Sequence, residues 1–264
     1  MSVELSIIML DWEVREKFFA LDWLNQQTVA RDQYELIWVE LRDRRVPEVA
    51  AKVDRLLTLG QKGLYRKHLG HNAGLAQARG RVVTMCDGDA VYPPGFVASV
   101  LAAFGERKVL MHHQRRSINP YPDGMALEGI AAQPFSELIP NTSACVSMLR
   151  RDAIGFGGLD EHQSYDGYWC GQNELAWRLI NSGVPEVWCE SLYLYHFRHP
   201  GDSGRGSSLE EIAPLSHHID GHNATGVQAF KEGWLLPLVE NPEIHRLRMD
   251  QRIIGSEFEK KYAW

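Results

Sequence analysis

Residues His71–Val91 read HNAGLAQARGRVVTMCDGDAV, and this stretch decides the fold class. Small residues at helical spacing in its first half predict a helix that ends at Gly80. The apolar run Val82–Cys86 predicts a buried strand, and Asp87-Gly88-Asp89 stands at its carboxyl end. Because ligands bind beyond the carboxyl ends of strands in open α/β sheets, the two aspartates are predicted to lie at a binding site.

Outward from this stretch, predicted strands and helices alternate along the chain. The strands are Leu5–Leu10, Tyr34–Leu41, Val109–His113, Ala144–Arg150 and Glu186–Leu194, and the helices are Val14–Gln26, Val46–Leu59, Phe96–Phe104 and Gly171–Ser182. The region 115–140 is rich in Pro and Gly and is predicted to be a long loop. This alternation favours an α/β fold with a mixed, mostly parallel sheet flanked by helices.

Composition restricts the class of protein. The chain has 264 residues, 44% of them hydrophobic, which suits one large α/β domain with a tail. A formal net charge of -6 gives no global attraction to polyanions, so nucleic acid is not an expected partner. The four cysteines form no CxxC pair, which favours free thiols and a cytoplasmic location, with peripheral association to the inner membrane left open. No apolar run reaches the roughly 20 residues that a membrane helix needs.

The stretch His71–Val91 resembles the central signature of family-2 glycosyltransferases, which joins N-x-G, a small-residue helix ending in A-x-G, an apolar strand and D-x-D. Downstream, RRDAIGFGGLDE at Arg150–Glu161 resembles the family's segment before the acceptor helix, and ELAWRL at Glu174–Leu179 follows it. The resemblance covers roughly residues 5–200 and implies the GT-A fold, the Rossmann-like fold of nucleotide-diphosphate-sugar transferases.

The same resemblance divides the chain into two parts. Residues 1–205 are the expected GT-A catalytic domain, with a nucleotide-sugar-binding half at 1–113 and an acceptor half at 114–205. Residues 206–264 are the expected C-terminal extension, which packs on the core. The oligomeric state stays open.

The resemblance implies a nucleotide-diphosphate-sugar donor, with UDP favoured over GDP, and a divalent Mn or Mg ion that joins the pyrophosphate to D-x-D. Two aspartates supply hard oxygen ligands, and Gly88 lets the backbone approach a ligand closely. Asp89 is the expected metal ligand, and Asp87 is expected to contact the metal or the ribose. His196, after a predicted strand, is expected to complete the coordination, with His199 as second choice. The alternatives are an Asp-Gly turn and a histidine hydrogen-bonded at a strand end.

Three more residues are expected at the donor. By the resemblance, Glu40 or Asp43, after the second strand, recognises the base; the alternative is a solvated loop charge. Asn72 corresponds to the asparagine of N-x-G and is expected to order the loop beside the nucleotide, or else to cap a helix N-terminus.

Basic side chains are candidates for phosphate contacts. Arg198 and Arg205 flank or lie in the Gly/Ser-rich run after the last predicted strand and are expected to fold over the diphosphate, because a guanidinium fork matches phosphate oxygens. A plain linker is the alternative. Arg66 and Lys67 are either phosphate-facing or solvated.

Inverting sugar transfer needs a carboxylate base at the acceptor hydroxyl. The family carries a Glu-Asp pair just before the helix that ELAWRL matches, but Gly171 and Gln172 stand there, and Gln172 cannot act as a base. Glu174 is therefore the first candidate, with a structural carboxylate at a helix start as the alternative, and Asp166 is the next. The stereochemistry, inverting or retaining, stays open.

Acceptor contacts are expected from the same region. Asp160 and Glu161 are further carboxylates that either support the acceptor loop or replace the base. Trp169, with Tyr165 and Tyr168 beside it, is expected to stack on a sugar or to pack in the core.

These residues favour a hexosyltransferase that acts on a saccharide, a lipid-linked sugar or another hydroxyl acceptor in polysaccharide or glycoconjugate synthesis. A nucleotidyltransferase is an alternative, although Asp11-Trp12 stands where its Gly-rich, basic loop is expected. A catalytically silent sugar-nucleotide-binding or scaffold protein is the other alternative, and Gln172 at the expected base position motivates it.

Overall fold

The computed structural model describes residues 3–105, 107–118, 124–135, 145–167, 172–197 and 225–250. The strands are β1 Leu5–Asp11, β2 Tyr34–Glu40, β3 Arg55–Thr58, β4 Val82–Asp87, β5 Ala90–Val91, β6 Leu110–Ile118, β7 Cys145–Leu149 and β8 Glu186–Phe197. The helices are α1 Phe19–Leu24, α2 Pro47–Lys52, α3 Lys67–Gln77, α4 Phe96–Phe104, α5 Leu127–Ala131, α6 Arg150–Gly155, α7 Gln172–Asn181, α8 at 225–231 and α9 Pro242–Asp250.

The described strands form one mixed sheet in the order β3-β2-β1-β4-β7-β6-β8-β5. Neighbours are parallel in β3–β2, β2–β1, β1–β4 and β6–β8, and antiparallel in β4–β7, β7–β6 and β8–β5. The predicted α/β fold with a mixed, mostly parallel sheet is confirmed. The registers Leu10↔Asp87 and Asp11↔Glu40 bring the carboxyl ends of β1, β2 and β4 to one edge.

Helices cover both faces of the sheet, so its central strands are buried on both sides. All seven residues of β1 are buried. Alternate β1 residues such as Ile7 and Met9 belong to the cluster that contains the apolar side chains of α1 and α4. Ile8 and Leu10 belong to the other cluster, with residues of α3, α7 and α9.

Several predicted boundaries are wrong. The predicted helix Val46–Leu59 is a short helix, α2, followed by the edge strand β3, because pairing with β2 overrides an apolar spacing that suits either element. The predicted helix from His71 begins earlier, at Lys67. The predicted long loop contains the end of β6 and helix α5, because pairing with β8 continues to Ile118.

Residues 225–250 pack on the α/β core. Ile244 of α9 is fully buried in the cluster that includes residues of α3 and α6. The three cysteines in the described ranges, Cys86, Cys145 and Cys189, are buried free thiols. None of the described helices is long and apolar enough to cross a membrane.

The connection from α3 to β4 requires glycine at position 80, because its backbone lies against β1. A Cβ on Gly80 would stand 2.5 Å from the backbone nitrogen of Ser6 and 2.7 Å from the carbonyl carbon of Leu5. The Gly80 N–H also donates to Ser6 Oγ at 2.8 Å.

We expect Gly80→Ala to lower the free energy of unfolding by about 1–3 kcal/mol, because backbone atoms of a central strand cannot move aside as a side chain can. Urea denaturation followed by circular dichroism measures this change. Gly95→Ala is the matched control, since a Cβ there meets only Leu192 Cδ1 at 3.5 Å, and we expect it to cost under about 1 kcal/mol. Equal stability of the two variants would contradict this account.

Candidate functional site

Four carboxylates lie at the carboxyl ends of the parallel strands, and we call them the carboxylate edge: Asp11, Glu40, Asp87 and Asp89. Asp87 ends β4, and Asp89 stands immediately before β5. Gly88 between them is tightly enclosed, because a Cβ there would stand 2.9 Å from the Trp38 ring. The turn therefore depends on glycine at this position.

Pairing between β5 and β8 brings Asp89 and His196 together. Ala90 is the register partner of His196, and Asp89 precedes Ala90. Asp89 Oδ2 lies 3.9 Å from His196 Nε2, and the two residues are only 8% and 6% exposed. The predicted juxtaposition of this aspartate and this histidine is present in the structure.

The loop after β1 is organised by two buried carboxylates. Asp11 Oδ1 accepts from the Trp12 N–H at 2.8 Å and the Val14 N–H at 3.4 Å. Glu40 Oε2 accepts from the N–H of Glu13, which adopts a positive φ of 68°. A left-handed residue other than glycine is costly, and these contacts stabilise it.

Each carboxylate of the edge faces a basic side chain. Arg15 Nη1 lies 3.2 Å from Asp11 Oδ1, and its Nη2 lies 3.1 Å from Asp89 Oδ2. Such pairing is required because an unpaired charge removed from water is strongly destabilising. The remaining pairs are Arg44 with Asp11 at 2.5 Å and with Glu40 at 3.7 Å, Lys67 with Asp87 at 2.8 Å, and Arg115 with Asp87 at 3.6 Å.

The metal-ligand chemistry of this edge fits Mn or Mg. Asp87, Asp89 and His196 supply carboxylate and imidazole donors, a set that suits Mn. In the described part of the chain, however, no three His, Cys, Asp or Glu side chains are already arranged as a metal cluster. The carboxylates are instead paired with the basic side chains.

Asp166 lies beside this edge because its partners adjoin Lys67 in sequence. Arg66 Nη2 lies 2.7 Å from Asp166 Oδ2, and His68 Nε2 lies 3.5 Å from Oδ1. The Gly167 N–H donates to the Tyr65 carbonyl at 2.6 Å, which ties the Asp166 loop to the start of α3. The Asp166 side chain stays 13% exposed, so its carboxylate is partly accessible.

Residues 47–155 match the family model of Glycosyl transferase family 2. Solved structures with the same fold include S. aureus TarS 1-349 in complex with UDP-GlcNAc, at 12% identity and a TM-score of 0.55 over 88% of this chain and 71% of that one. The chain has the GT-A fold of glycosyltransferases, and its residues 47–155 are similar to family 2.

Two further structures extend the likeness. The mannosyltransferase PcManGT from Pyrobaculum calidifontis in complex with GDP-Man and Mn2+ has 11% identity and a TM-score of 0.54, over 99% of this chain and 83% of that one. GalNAc-T7 with UDP, GalNAc and Mn2+ has 13% identity and a TM-score of 0.59, over 99% and 57%. No curated protein sequence matches the chain.

The three residues expected at the base side of the donor site, Glu40, Asp43 and Asn72, have different environments in the structure. Glu40 is buried, and its oxygens accept from the backbone of Glu13 and Arg42, so it shapes the loops rather than facing a nucleobase. Burial raises the pKa of Glu40 although its hydrogen-bond donors lower it. Asp43 is exposed beside Gly60, so a solvent-accessible contact remains open to it.

Asn72 joins two parts of the core. It lies inside α3, not at its N-terminus, so the expected cap is wrong. Its side chain is fully buried, donates to the Leu159 carbonyl and Glu161 Oε1 at 2.9 Å each, and accepts from the Leu159 N–H at 2.8 Å. The Asn72 amide was expected beside the donor nucleotide. In the structure it holds the 159–161 segment instead.

Glu174 forms a buried ion pair, which corrects the first candidate for the base. Arg178 Nε donates to Glu174 Oε2 at 2.8 Å, and the Asp160 N–H donates to Oε1 at 2.6 Å. Arg178 also donates to the carbonyls of Phe156 and Gly158. Burial raises the pKa of Glu174, against the opposing effect of Arg178. Both oxygens are engaged, so the pair fixes the 156–160 loop rather than accepting a substrate proton.

Asp160 and Glu161 hold the C-terminal segment. Asp160 accepts from the backbone N–H groups of Leu238 and Val239 at 2.8 and 3.0 Å. Glu161 Oε1 accepts from Asn241 Nδ2 at 2.6 Å. Asp160 and Glu161 therefore support the C-terminal segment of the chain.

The remaining expected residues lie outside the described ranges: Trp169, Tyr168, Arg198, His199 and Arg205, together with the side chain of Gln172. Conversely, the sequence interpretation missed Arg15, Arg44 and Arg115. A signal existed for the first two, since both follow a predicted strand by a few residues. Arg115 also follows a predicted strand, Val109–His113, but the structure extends that strand through Arg115 as β6.

We expect Glu174→Gln to lower the free energy of unfolding by about 3–5 kcal/mol, because it leaves the Arg178 charge buried without its carboxylate. Chemical denaturation measures the loss. Glu48→Gln is the matched control, since it removes a surface pair with Lys52 at a cost below about 1 kcal/mol. If Glu174→Gln kept full stability and lost turnover, the assignment of Glu174 as a structural residue would be wrong.

Proposed function

We propose that the protein transfers a hexose-type sugar from a nucleotide-diphosphate donor to a hydroxyl acceptor, with Asp89, Asp87 and His196 as ligands of a divalent metal. The observation that carries this proposal is the contact between Asp89 and His196 at the carboxyl edge of the sheet. It joins a hard oxygen ligand and an imidazole at the position where ligands of open α/β sheets bind.

The proposed metal is Mn or Mg. A divalent ion bound by these residues stabilises the negative charge that develops on a departing diphosphate. Of the three structural neighbours described above, PcManGT and GalNAc-T7 were solved with Mn2+, which supports this choice. Two of the three hold UDP or UDP-GlcNAc and one holds GDP-Man, which supports UDP ahead of GDP.

Basic side chains of the edge are proposed to face the diphosphate. Lys67 and Arg115 both contact Asp87, so their charges already converge beside the proposed metal ligand. The rings of Trp12, in the loop after β1, and Tyr65, just before α3, lie 4.7 Å apart at an interplanar angle of 45°, and we propose that they offer an apolar face for a nucleobase. From the resemblance, we also propose that the donor contacts Asp43, Arg198 and Arg205.

Asp166 is our proposed base for an inverting transfer. The acceptor oxygen forms a bond to the anomeric carbon while the carbon–oxygen bond to the diphosphate breaks, and the hydroxyl proton passes to the Asp166 carboxylate. Arg66 and His68 orient that carboxylate without burying it fully. A saccharide or lipid-linked acceptor stays part of the proposal, with Trp169 as its stacking residue and residues 1–205 as the catalytic domain.

The donor and metal are tested together by thermal shift with UDP-, GDP-, dTDP- and CMP-sugars, with and without Mn2+. We expect one nucleotide class to raise the melting temperature only when Mn2+ is present, since a ligand of the native state stabilises it by RT ln(1 + [L]/Kd). Asp89→Asn should abolish this shift. Asp22→Asn, the same change at a surface residue paired with Lys52, should retain it. A full shift in Asp89→Asn would exclude Asp89 as a metal ligand.

The base is tested by Asp166→Asn in the same donor-binding assay and in a turnover assay. We expect unchanged donor affinity and a kcat lowered by about 100- to 10,000-fold, because the acceptor proton loses its carboxylate. Asp22→Asn again serves as control. Near-normal turnover in Asp166→Asn would remove it as base, whereas donor binding without any turnover in the native protein would favour the silent-scaffold alternative.

A further inference from the structure

Arg15 occupies a central position in the carboxylate edge. Its Nη1 donates to the Leu10 carbonyl at 2.8 Å and to Asp11 Oδ1 at 3.2 Å, and its Nη2 donates to Asp89 Oδ2 at 3.1 Å. One guanidinium therefore links the end of β1 to the residue before β5. Burial lowers the pKa of Arg15, but Asp89 and Asp11 outweigh it, so its pKa lies above the ordinary range.

The surrounding chain holds Arg15 in this orientation. Arg44 Nη1 donates to the Arg15 carbonyl at 3.0 Å, which fixes the backbone. Gly88 passes close to the side chain, because a Cβ there would meet Arg15 Nε at 3.4 Å. The Arg15 side chain is only 18% exposed. Its contact with Asp89 is thus built into the loop geometry.

The same oxygen of Asp89 faces both Arg15 and His196. Asp89 Oδ2 lies 3.1 Å from Arg15 Nη2 and 3.9 Å from His196 Nε2. A metal ion held by Asp89 and His196 would stand beside this oxygen. Because a dication and a guanidinium repel each other strongly at contact distance, both cannot hold the same carboxylate oxygen unchanged.

We infer that Arg15 is a positioning residue that competes with the metal for Asp89 and thereby couples metal binding to nucleoside-diphosphate binding. This inference rests on the proposed function of the same site. When the diphosphate binds, its oxygens replace Asp89 as partners of the guanidinium, for which a planar fork is well suited. Asp89 is then released to the metal.

This exchange makes the two ligands cooperative. The metal alone must displace Arg15 from Asp89, whereas metal and diphosphate together give each charged group a new partner. By linkage, the factor by which the nucleotide strengthens metal binding equals the factor by which the metal strengthens nucleotide binding. Removal of the Arg15 charge should raise the affinity for the metal alone and reduce this factor.

The test measures Mn2+ affinity by electron paramagnetic resonance, without and with saturating UDP, in the native chain and in Arg15→Gln. We expect Arg15→Gln to bind Mn2+ alone about tenfold more tightly, because the competing charge-assisted hydrogen bond is lost. We also expect UDP to strengthen Mn2+ binding several-fold less in Arg15→Gln than in the native chain.

Two further variants keep the test decisive. Arg31→Gln removes one positive charge from a surface pair with Asp54, so it should leave both affinities unchanged. Arg15→Lys keeps the charge, but one ammonium cannot span Asp11, Leu10 and Asp89. We therefore expect its Mn2+ affinity, and the strengthening of that affinity by UDP, to lie between those of the native chain and Arg15→Gln. This variant keeps the test usable if Arg15→Gln does not fold. Circular dichroism confirms that each variant is folded.

The outcomes separate this inference from the proposed function. If Arg15→Gln and Arg15→Lys bind Mn2+ alone with native affinity, the competition is overturned while the metal site stands, provided that Asp89→Asn abolishes binding. If the native chain binds no Mn2+ with or without UDP, the proposed metal site itself is overturned. Tighter Mn2+ binding in Arg15→Gln together with a reduced effect of UDP supports the coupling.

Discussion

This site depends on one constraint. Its carboxylates lie at the end of a parallel sheet, largely removed from water, and must find partners within the protein. Parallel pairing of β1, β2 and β4 brings Asp11, Glu40 and Asp87 to one edge, and the short strand β5 adds Asp89. Buried carboxylates are stable only with positive or hydrogen-bonding partners. Arg15 and Arg44 supply two of these partners from the loops after β1 and β2, so the demands of charge also determine the shape of those loops. Lys67 of α3 and Arg115 of β6 supply the partners of Asp87.

Two ion pairs in this chain have different consequences because they differ in burial. Glu174 and Arg178 are 4% and 1% exposed and also bind three backbone groups of the 156–160 loop. Such a pair is fully satisfied within the protein and fixes structure. The side chains of Asp89 and Arg15 are 11% and 18% exposed, so this pair is closer to solvent. The exchange of partners proposed above therefore involves the less buried of the two pairs.

Sequence patterns predicted the order of strands and helices better than they predicted which groups each carboxylate contacts. The strand Val82–Cys86 and the D-G-D after it lie where they were expected, because an apolar run and glycine act locally, and the helix before them is present but begins four residues earlier. Glu174 was assigned as a base because it begins a helix, but Arg178 one turn later and the Asp160 amide engage it. Local sequence does not report such competition for a carboxylate. The edge strand β3 was missed because its apolar spacing also suits a helix.

The sequence by itself determined the fold class, the resemblance to family-2 glycosyltransferases and the position of Asp87 and Asp89 at a strand end, because periodicity and turn residues are properties of neighbours along the chain. Only the tertiary structure decided that Asp89 meets His196 and Arg15, that Asn72 holds Leu159, and that Asp166 faces Arg66. The physical reason is that these contacts follow from strand order and burial, which join residues far apart in sequence and select one partner for each charge.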